Sequence, residues 1–386
     1  MTMEDLPPQV RLGVRAEGVR RAWPVAPVVV LVPDEGSYLR AVEGWTLKSR
    51  YPVLIDDGSA AAREDIGRFV RAFAPERVVR WAAREAGGTP APLPGDGPAR
   101  QAMIEAAVRK VWAQVSPVSP PKDQAGQIEA WVKTGVPPPG VVVADDADPA
   151  WPAALALSVG RAQPIVWIKT DRGVSGAYEP LRFGHLAEAV EAGTEKLGLT
   201  WRGLGDQVDA VTLCLNSPSK VKASGSAGEV LATTDLVGRL AKEAGGTPAP
   251  QGLQSNPREL GERWAWAGQV FGDGPRSAYM AMCALFLSPR SAWVFDGYES
   301  ADPWGQFDGT AAGEHLRKAG LEVVVEDEPR QGERQWRVQT AGGLGAGLVL
   351  VNTHGMGDQF NLRPGVCRSG DVPMLRVPAA VHFVHS

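Results

Sequence analysis

Gly347-Leu348-Val349-Leu350-Val351-Asn352-Thr353-His354-Gly355-Met356-Gly357-Asp358 is the stretch whose reading decides the fold. It opens with an unbroken apolar run, the pattern of a strand covered on both faces, and breaks abruptly into polar residues and glycines. In open α/β sheets the carboxyl ends of the strands are where ligands bind. The pattern therefore predicts a buried parallel strand with His354 at its carboxyl end, and Gly355 and Gly357 keeping the following loop narrow.

Working outward, the same alternation recurs. A valine strand over 28–32 precedes a helix over 37–49, with Leu39, Val42, Trp45 and Leu47 as its apolar stripe. A strand over 51–57 ends in Asp56-Asp57, a helix over 60–73 carries Ile66, Phe69, Val70 and Phe73, and a short strand covers 77–81. Strand, helix, strand, helix, strand at these lengths implies a parallel sheet. A second copy follows. Val28-Val29-Val30-Leu31-Val32 aligns with Gly140-Val141-Val142-Val143-Ala144, and Pro52-Val53-Leu54-Ile55 aligns with Pro164-Ile165-Val166-Trp167 at the same offset. The repeated Ala-Gly-Gly-Thr-Pro-Ala-Pro at 86–92 and 244–250 has a different offset, so a regular solenoid is not implied.

The remaining patterns predict helices over 100–112, 128–133, 151–159, 185–196, 229–244, 278–287 and 310–318. Further strands are predicted over 210–214, 291–296, 321–325 and 377–384, with loops over 217–228 and 248–262. The expected class is α/β, built of consecutive β-α-β units with mostly parallel sheets. Residues 1–24 read as an arm with little structure, 25–115 as a first unit, 116–136 as a proline-rich linker, 137–215 as a second unit and 216–386 as a third. The chain stops within a predicted strand, so the third unit reads as truncated.

Composition narrows the function classes. The 386 residues are 44% hydrophobic and 22% charged, with a net charge of −4, an ordinary globular balance without a nucleic-acid footprint. Apolar runs fall short of a membrane span. Arg20-Arg21 before Trp23–Val32 does not make a signal peptide, because Pro24 and Pro27 interrupt the run and Asp34-Glu35 follow at once. Cys214, Cys283 and Cys367 are too far apart for a disulfide framework or a zinc site, and Cys214 and Cys283 lie in apolar runs as core thiols. Cys367 reads as a loop residue.

Several local patterns invite chemistry. Asp145, Asp146 and Asp148 follow a strand, where carboxylates can hold Mg²⁺. Pro149 next to them favours helix capping by Asp148. Gly355-Met356-Gly357 lacks the third small residue and the helix of a dinucleotide fingerprint. His382 reads as buried and His385 as near a strand end, three residues apart on opposite faces, unsuited to a shared metal. Trp264 and Trp266 alternate with alanines, as in a platform for a sugar or peptide, whereas the other tryptophans fall on core faces. No cofactor and no metal site is expected.

The last third, roughly residues 270–386, resembles the caspase-like fold, and within it the gingipain-like cysteine peptidases. The features that carry the likeness are a strand ending in His-Gly, Val351-Asn352-Thr353-His354-Gly355, then a polar loop, then Pro378-Ala379-Ala380-Val381-His382-Phe383-Val384-His385-Ser386. The resemblance implies a catalytic histidine at His354 and a nucleophilic cysteine at the end of the next strand. That position falls at or just past Ser386, and no cysteine stands there within the sequence. The implied domain is incomplete or degenerate, inactive as a peptidase. His354, Asp296 and Ser386 are the candidate site residues, expected to converge because parallel strands end on one side, with Asp296 favouring the charged form of His354. Residues 28–81 and 140–170 also look distantly like the cell-wall-binding repeats of bacterial surface proteins, which share a valine strand, an alanine-rich helix and a proline-initiated strand. The alternative function is a non-catalytic α/β binding or scaffold protein, associated with a cell surface. Expected partners are a peptide or a cell-wall component.

Overall fold

A computed structural model describes residues 6–81, 93, 95, 97–115, 123–133, 138–170, 176–222, 230–242, 248–253, 261–298, 308–327, 332–355, 359–362, 364–368 and 371–384. The chain divides into two compact units, Met1–Arg63 with Pro75–Leu285, and Glu64–Ala74 with Phe286–Ser386. Of the expected linker at 116–136, residues 116–122 and 134–136 lie outside the described residues and Gln124–Lys133 form a helix; residues 223–228 of the expected loop at 217–228 also lie outside.

The first unit begins with a difference from the sequence reading. Where an unstructured arm was expected, helix α1 (Pro8–Ala22) forms, with proline in its first turn. A proline is tolerated there because the first-turn N–H has no intrahelical partner. Arg15 anchors the helix. Its guanidinium donates to the Asp209 carboxylate at 3.0 Å, to the Gln207 carbonyl at 2.7 Å and to the carbonyl of Pro138.

Strand β1 (Val28–Val32), helix α2 (Glu35–Glu43), strand β2 (Val53–Ile55), helix α3 (Ala60–Phe73) and strand β3 (Arg77–Arg80) follow as the apolar spacing predicts. They form a parallel sheet in the order β2-β1-β3. Helix α2 is shorter than its stripe suggested. It starts at Glu35, where Asp34 accepts from the Ser37 N–H at 2.7 Å, and stops before Gly44, which leaves Leu47 exposed. Helices α4 (Pro98–Trp112) and α5 (Gln124–Lys133) lead to the second copy.

That copy is strand β4 (Gly140–Ala144), helix α6 (Trp151–Arg161), strand β5 (Ile165–Trp167), helix α7 (Pro180–Glu195) and strand β6 (Ala210–Cys214). Gly140 sits so close to its neighbour that a Cβ would lie 2.1 Å from the Ala210 carbonyl oxygen. Helix 229–244 is not formed as predicted. Instead β7 (Lys220–Lys222) pairs antiparallel with β8 (Val230–Ala232), α8 (Thr233–Val237) makes little more than one turn, and β9 (Leu240–Lys242) pairs antiparallel with β10 (Pro248–Leu253) inside the expected loop. Gly238 explains the break. Its carbonyl accepts from the Trp264 N–H at 2.9 Å, and a Cβ there would lie 2.5 Å from the Ala265 oxygen. Strand β11 (Trp266–Val270), which the sequence did not announce, runs parallel to β6 and completes the order β11-β6-β4-β5. Helix α9 (Gly274–Phe286) is the buried apolar helix expected near 278–287. The core of this copy sets Trp201 edge-on to Trp264, with ring centroids 4.8 Å apart, among Val141, Val143, Val211 and Leu213.

In the second compact unit, β12 (Ser291–Asp296), α10 (Gly309–Lys318), β13 (Glu322–Glu326), α11 (Glu333–Ala341) and β14 (Leu348–Asn352) repeat the same wiring. The hairpin of β15 (Gln359–Leu362) and β16 (Gly365–Arg368) then replaces the expected polar loop, and β17 (Ala380–Val384) closes the sheet. The order is β13-β12-β14-β17, every pair parallel. Cys367 therefore stands in a strand, not a loop, and is buried, whereas His382 is exposed because β17 is an edge strand. Trp336 packs against Trp293, Phe295 and Phe360 at centroid distances of 5.3, 5.1 and 5.1 Å to form the aromatic floor of this unit. The chain is thus mixed α/β with mostly parallel sheets, and its three larger sheets share one wiring: the first strand lies inside, with the second on one side and the third on the other.

Arg15 is the test of the helix that sequence reading missed. Arg15→Ala leaves the Asp209 carboxylate, almost wholly buried, without its cation. Urea unfolding is expected to show a loss of about 3 kcal/mol, the scale for breaking a buried pair from one side.

Candidate functional site

Each of the three larger sheets reverses its strand order between its first and third strands, which is where open α/β sheets bind ligands. In the second copy that position lies between β4 and β6. Asp148, fully buried, accepts there from the Ala150 N–H at 2.8 Å, the Asn216 N–H at 2.8 Å and the Asn216 side-chain amide at 2.9 Å. Asn216 also donates to the Gly272 carbonyl at 2.8 Å and accepts from the Gly272 N–H at 2.7 Å. It thereby ties the ends of three strands. Asp148 is not the cap of α6, as its spacing suggested: the capping position is Ala150, which Asp148 holds from two residues back. Asp145 accepts from the Thr170 N–H at 3.0 Å, the Ala147 N–H at 3.0 Å and Lys169, whose ammonium also reaches Asp146. These carboxylates join β4 to β5 and β6, and among the described residues no grouping suited to a metal ion is present.

In the second compact unit the switch lies between β12 and β14. The register sets Asp296 beside Asn352, and Asn352 beside Val384 of β17, so three strand ends stand in line. His354 follows two residues beyond Asn352. Ser386, the third candidate, lies outside the described residues, as does His385.

Asp296 accepts from the Gly309 N–H at 2.6 Å, the Tyr298 N–H at 3.2 Å and the Asn352 side-chain amide at 3.1 Å. Gly309 must be a glycine for this: a Cβ there would lie 2.7 Å from the Asp296 Cβ. Burial raises the Asp296 carboxyl above the ordinary aspartate range, against the pull of these three donors. Burial likewise raises Asp148.

His354 is placed by its surroundings. Its carbonyl accepts from the Asn361 N–H at 2.8 Å, while the Thr353 hydroxyl donates to the Asn361 carbonyl at 2.8 Å, so the hairpin grips the loop at two points. The Tyr298 ring meets the imidazole edge-on, centroids 4.6 Å apart and planes at 81°. Tyr298 is in turn held through its backbone N–H by Asp296. Tyr298, Asn352 and Asn361 were not found by sequence reading. The signal for Asn352 was present, since it ends the deciding strand, but a ring contact across a loop leaves no spacing to read.

Of the other candidates, Trp264 is buried, its indole N–H donating to the Val237 carbonyl at 2.9 Å, so it belongs to the core rather than to a platform. Trp266 is partly exposed beneath the Arg263 guanidinium, 4.7 Å from the ring centroid.

Two outcomes follow from the strand ties. Asn216→Ala removes the side-chain donor shared by Asp148 and Gly272, and is expected to cost about 2 kcal/mol in chemical unfolding. Carboxyl NMR is expected to place the Asp296 midpoint above the usual value of about 4. Since that value is raised on folding, the group favours the folded state below its unfolded value and loses that contribution as pH rises through the folded one. A midpoint below the usual value would refute the dominance of burial. Comparison with protein-family models, curated proteins and solved structures finds no match for this chain.

Proposed function

We propose that the last third of the chain, roughly residues 270–386, is a degenerate gingipain-like (caspase-like) peptidase domain that does not hydrolyse peptides in this chain. The observation that carries this reading is the register that aligns Asp296, Asn352 and Val384, with His354 just beyond the middle one. Base-assisted attack by a side-chain nucleophile needs base and nucleophile within hydrogen-bond reach, and adjacent parallel strand ends are one arrangement that can supply it. Support comes from the order β13-β12-β14-β17, which sets the strand that ends before His354 beside the last strand.

Turnover needs a nucleophile as well as a base. Cys367 is the one cysteine between Phe286 and Ser386. Burial pushes its thiol up to about 11, and nearby Asp371 adds to the rise. A thiol held protonated at neutral pH is inert. The second reading, a non-catalytic binding or scaffold protein associated with a cell surface, is favoured by the strand-end carboxylates Asp145, Asp148 and Asp296, which are spent on backbone and side-chain donors. A peptide or a cell-wall component is the partner class common to both readings.

The test separates geometry from turnover. The 386-residue chain and its His354→Ala variant are both expected to leave a fluorogenic casein at background, and cleavage lost on His354→Ala would overturn the inactive assignment. Ser386→Cys places a thiol just past the end of β17. Its alkylation by iodoacetamide at pH 7 is expected to run roughly 10-fold faster than that of an ordinary cysteine, with the excess lost on His354→Ala. An ordinary rate would show that the end of β17 does not meet the imidazole, and the peptidase reading would fall in favour of the scaffold.

A further inference from the structure

The three sheets share one wiring but not one width. In the second copy β11 lies parallel along the outer side of the third strand, β6, through five registered pairs from Trp266 with Ala210 to Val270 with Cys214. In the second compact unit β17 does the same for β14, from Ala380 with Leu348 to Val384 with Asn352. In the first copy the third strand, β3, has β1 on one side and no described strand on the other. Burial follows the difference. In β6 and β14 three of five residues are buried and the rest half-buried, whereas all four residues of β3 are exposed, Val78 at 44% and Val79 at 36%. Valines so exposed on a strand with an open edge form a pairing surface.

We propose that the outer edge of β3 accepts one more parallel strand, supplied by an extended segment of another protein with an apolar centre and acidic flanks. The chain itself shows the occupant's geometry twice, in β11 and β17. Charge selects its chemistry. Arg77 and Arg80 bracket the two valines and, with the period of two along a strand, point to opposite faces. Arg80 already pairs with Asp56 at 2.8 Å, so the amino end at Arg77 is the stronger acid-selecting position. Main-chain pairing would give affinity, and the arginines specificity, as in other strand-addition complexes.

The same charges speak against a second copy of this chain. Two β3 strands meeting antiparallel would set Arg77 opposite Arg80, and like charges directly opposite destabilise a sheet. The acid-flanked edge strand β13 is guarded, because Arg317 donates to the Val323 carbonyl at 3.3 Å.

The experiment uses the full chain and two fluorescein-labelled probes, acetyl-Glu-Val-Thr-Val-Glu-amide and the same peptide with lysines for both glutamates. Fluorescence anisotropy is expected to show saturable binding of the acidic peptide, with the lysine peptide at least about 10-fold weaker. Val78→Pro, which removes an edge N–H at a position where proline is tolerated, is expected to abolish binding with the circular dichroism unchanged. Arg77→Glu is expected to reverse the preference between the peptides, which keeps the test decisive if the proline variant does not fold. Absence of saturable binding, equal binding of both peptides, or binding indifferent to Arg77→Glu would overturn the proposal. Concentration-dependent self-association in sedimentation, lost in either variant, would overturn it in favour of a second copy at this edge.

Discussion

A carboxylate buried at the end of a parallel strand has to find donors, because an unpaired charge cannot be carried into an apolar sheet. In this chain the donors come from the strand two places on in sequence. Asp148, after β4, is met by the backbone and side-chain amides of Asn216, after β6. Asp296, at the end of β12, is met by Asn352 at the end of β14. Each pair spans the crevice where strand order reverses. The interaction that satisfies the acid also fixes the third strand against the first, which is the contact that turns two β-α-β halves into one sheet.

The two ties differ in one respect, and the difference bears on function. Asn216 stands two residues beyond the last residue of β6, and it spends its side chain on Asp148 and Gly272. His354 stands at the corresponding place after β14. There the tie to the acid comes from Asn352, inside the strand. His354 is held by its backbone carbonyl, which accepts from the Asn361 N–H, and its ring packs edge-on with that of Tyr298. One wiring thus places Asn216 and His354 at corresponding positions with different contacts.

Much of this was legible from residues alone, for a definite reason. Parallel strands buried on both faces write themselves as short apolar runs, so Val28–Val32, Gly140–Ala144, Ser291–Asp296 and Leu348–Asn352 could be read without a partner. Strand ends were legible because the runs stop at Asp or Asn. What failed depended on contacts distant in sequence. The spacing over 229–244 suits a helix, yet Gly238 yields to Trp264 and Ala265, and no local pattern records that. Helix α1 has weak amphipathic spacing and owes its place to Arg15 reaching a carboxylate 194 residues away. Strand β11 reads Trp266-Ala267-Gly268-Gln269-Val270, without an apolar run, and only its pairing with β6 makes it a strand. The hairpin after His354 was hidden because its residues are mixed, with Cys367 the buried exception on β16.

The role of Asp296 follows from how its oxygens are used. One oxygen takes the Tyr298 N–H and the Asn352 amide, and the other takes the Gly309 N–H at the start of α10. A carboxylate so engaged is a poor proton carrier, since protonating it would set a hydroxyl against donors already in place. Yet burial raises its affinity for a proton, so the two effects oppose each other at this one group. The structure resolves the conflict by position rather than by charge. Asp296 stands one step from the imidazole: it accepts from the Tyr298 backbone N–H, and the Tyr298 ring lies against His354. The unit to consider at this strand end is therefore a histidine oriented by an aromatic ring and a gripped loop, with the acid one step behind it as the residue that keeps both strands in register.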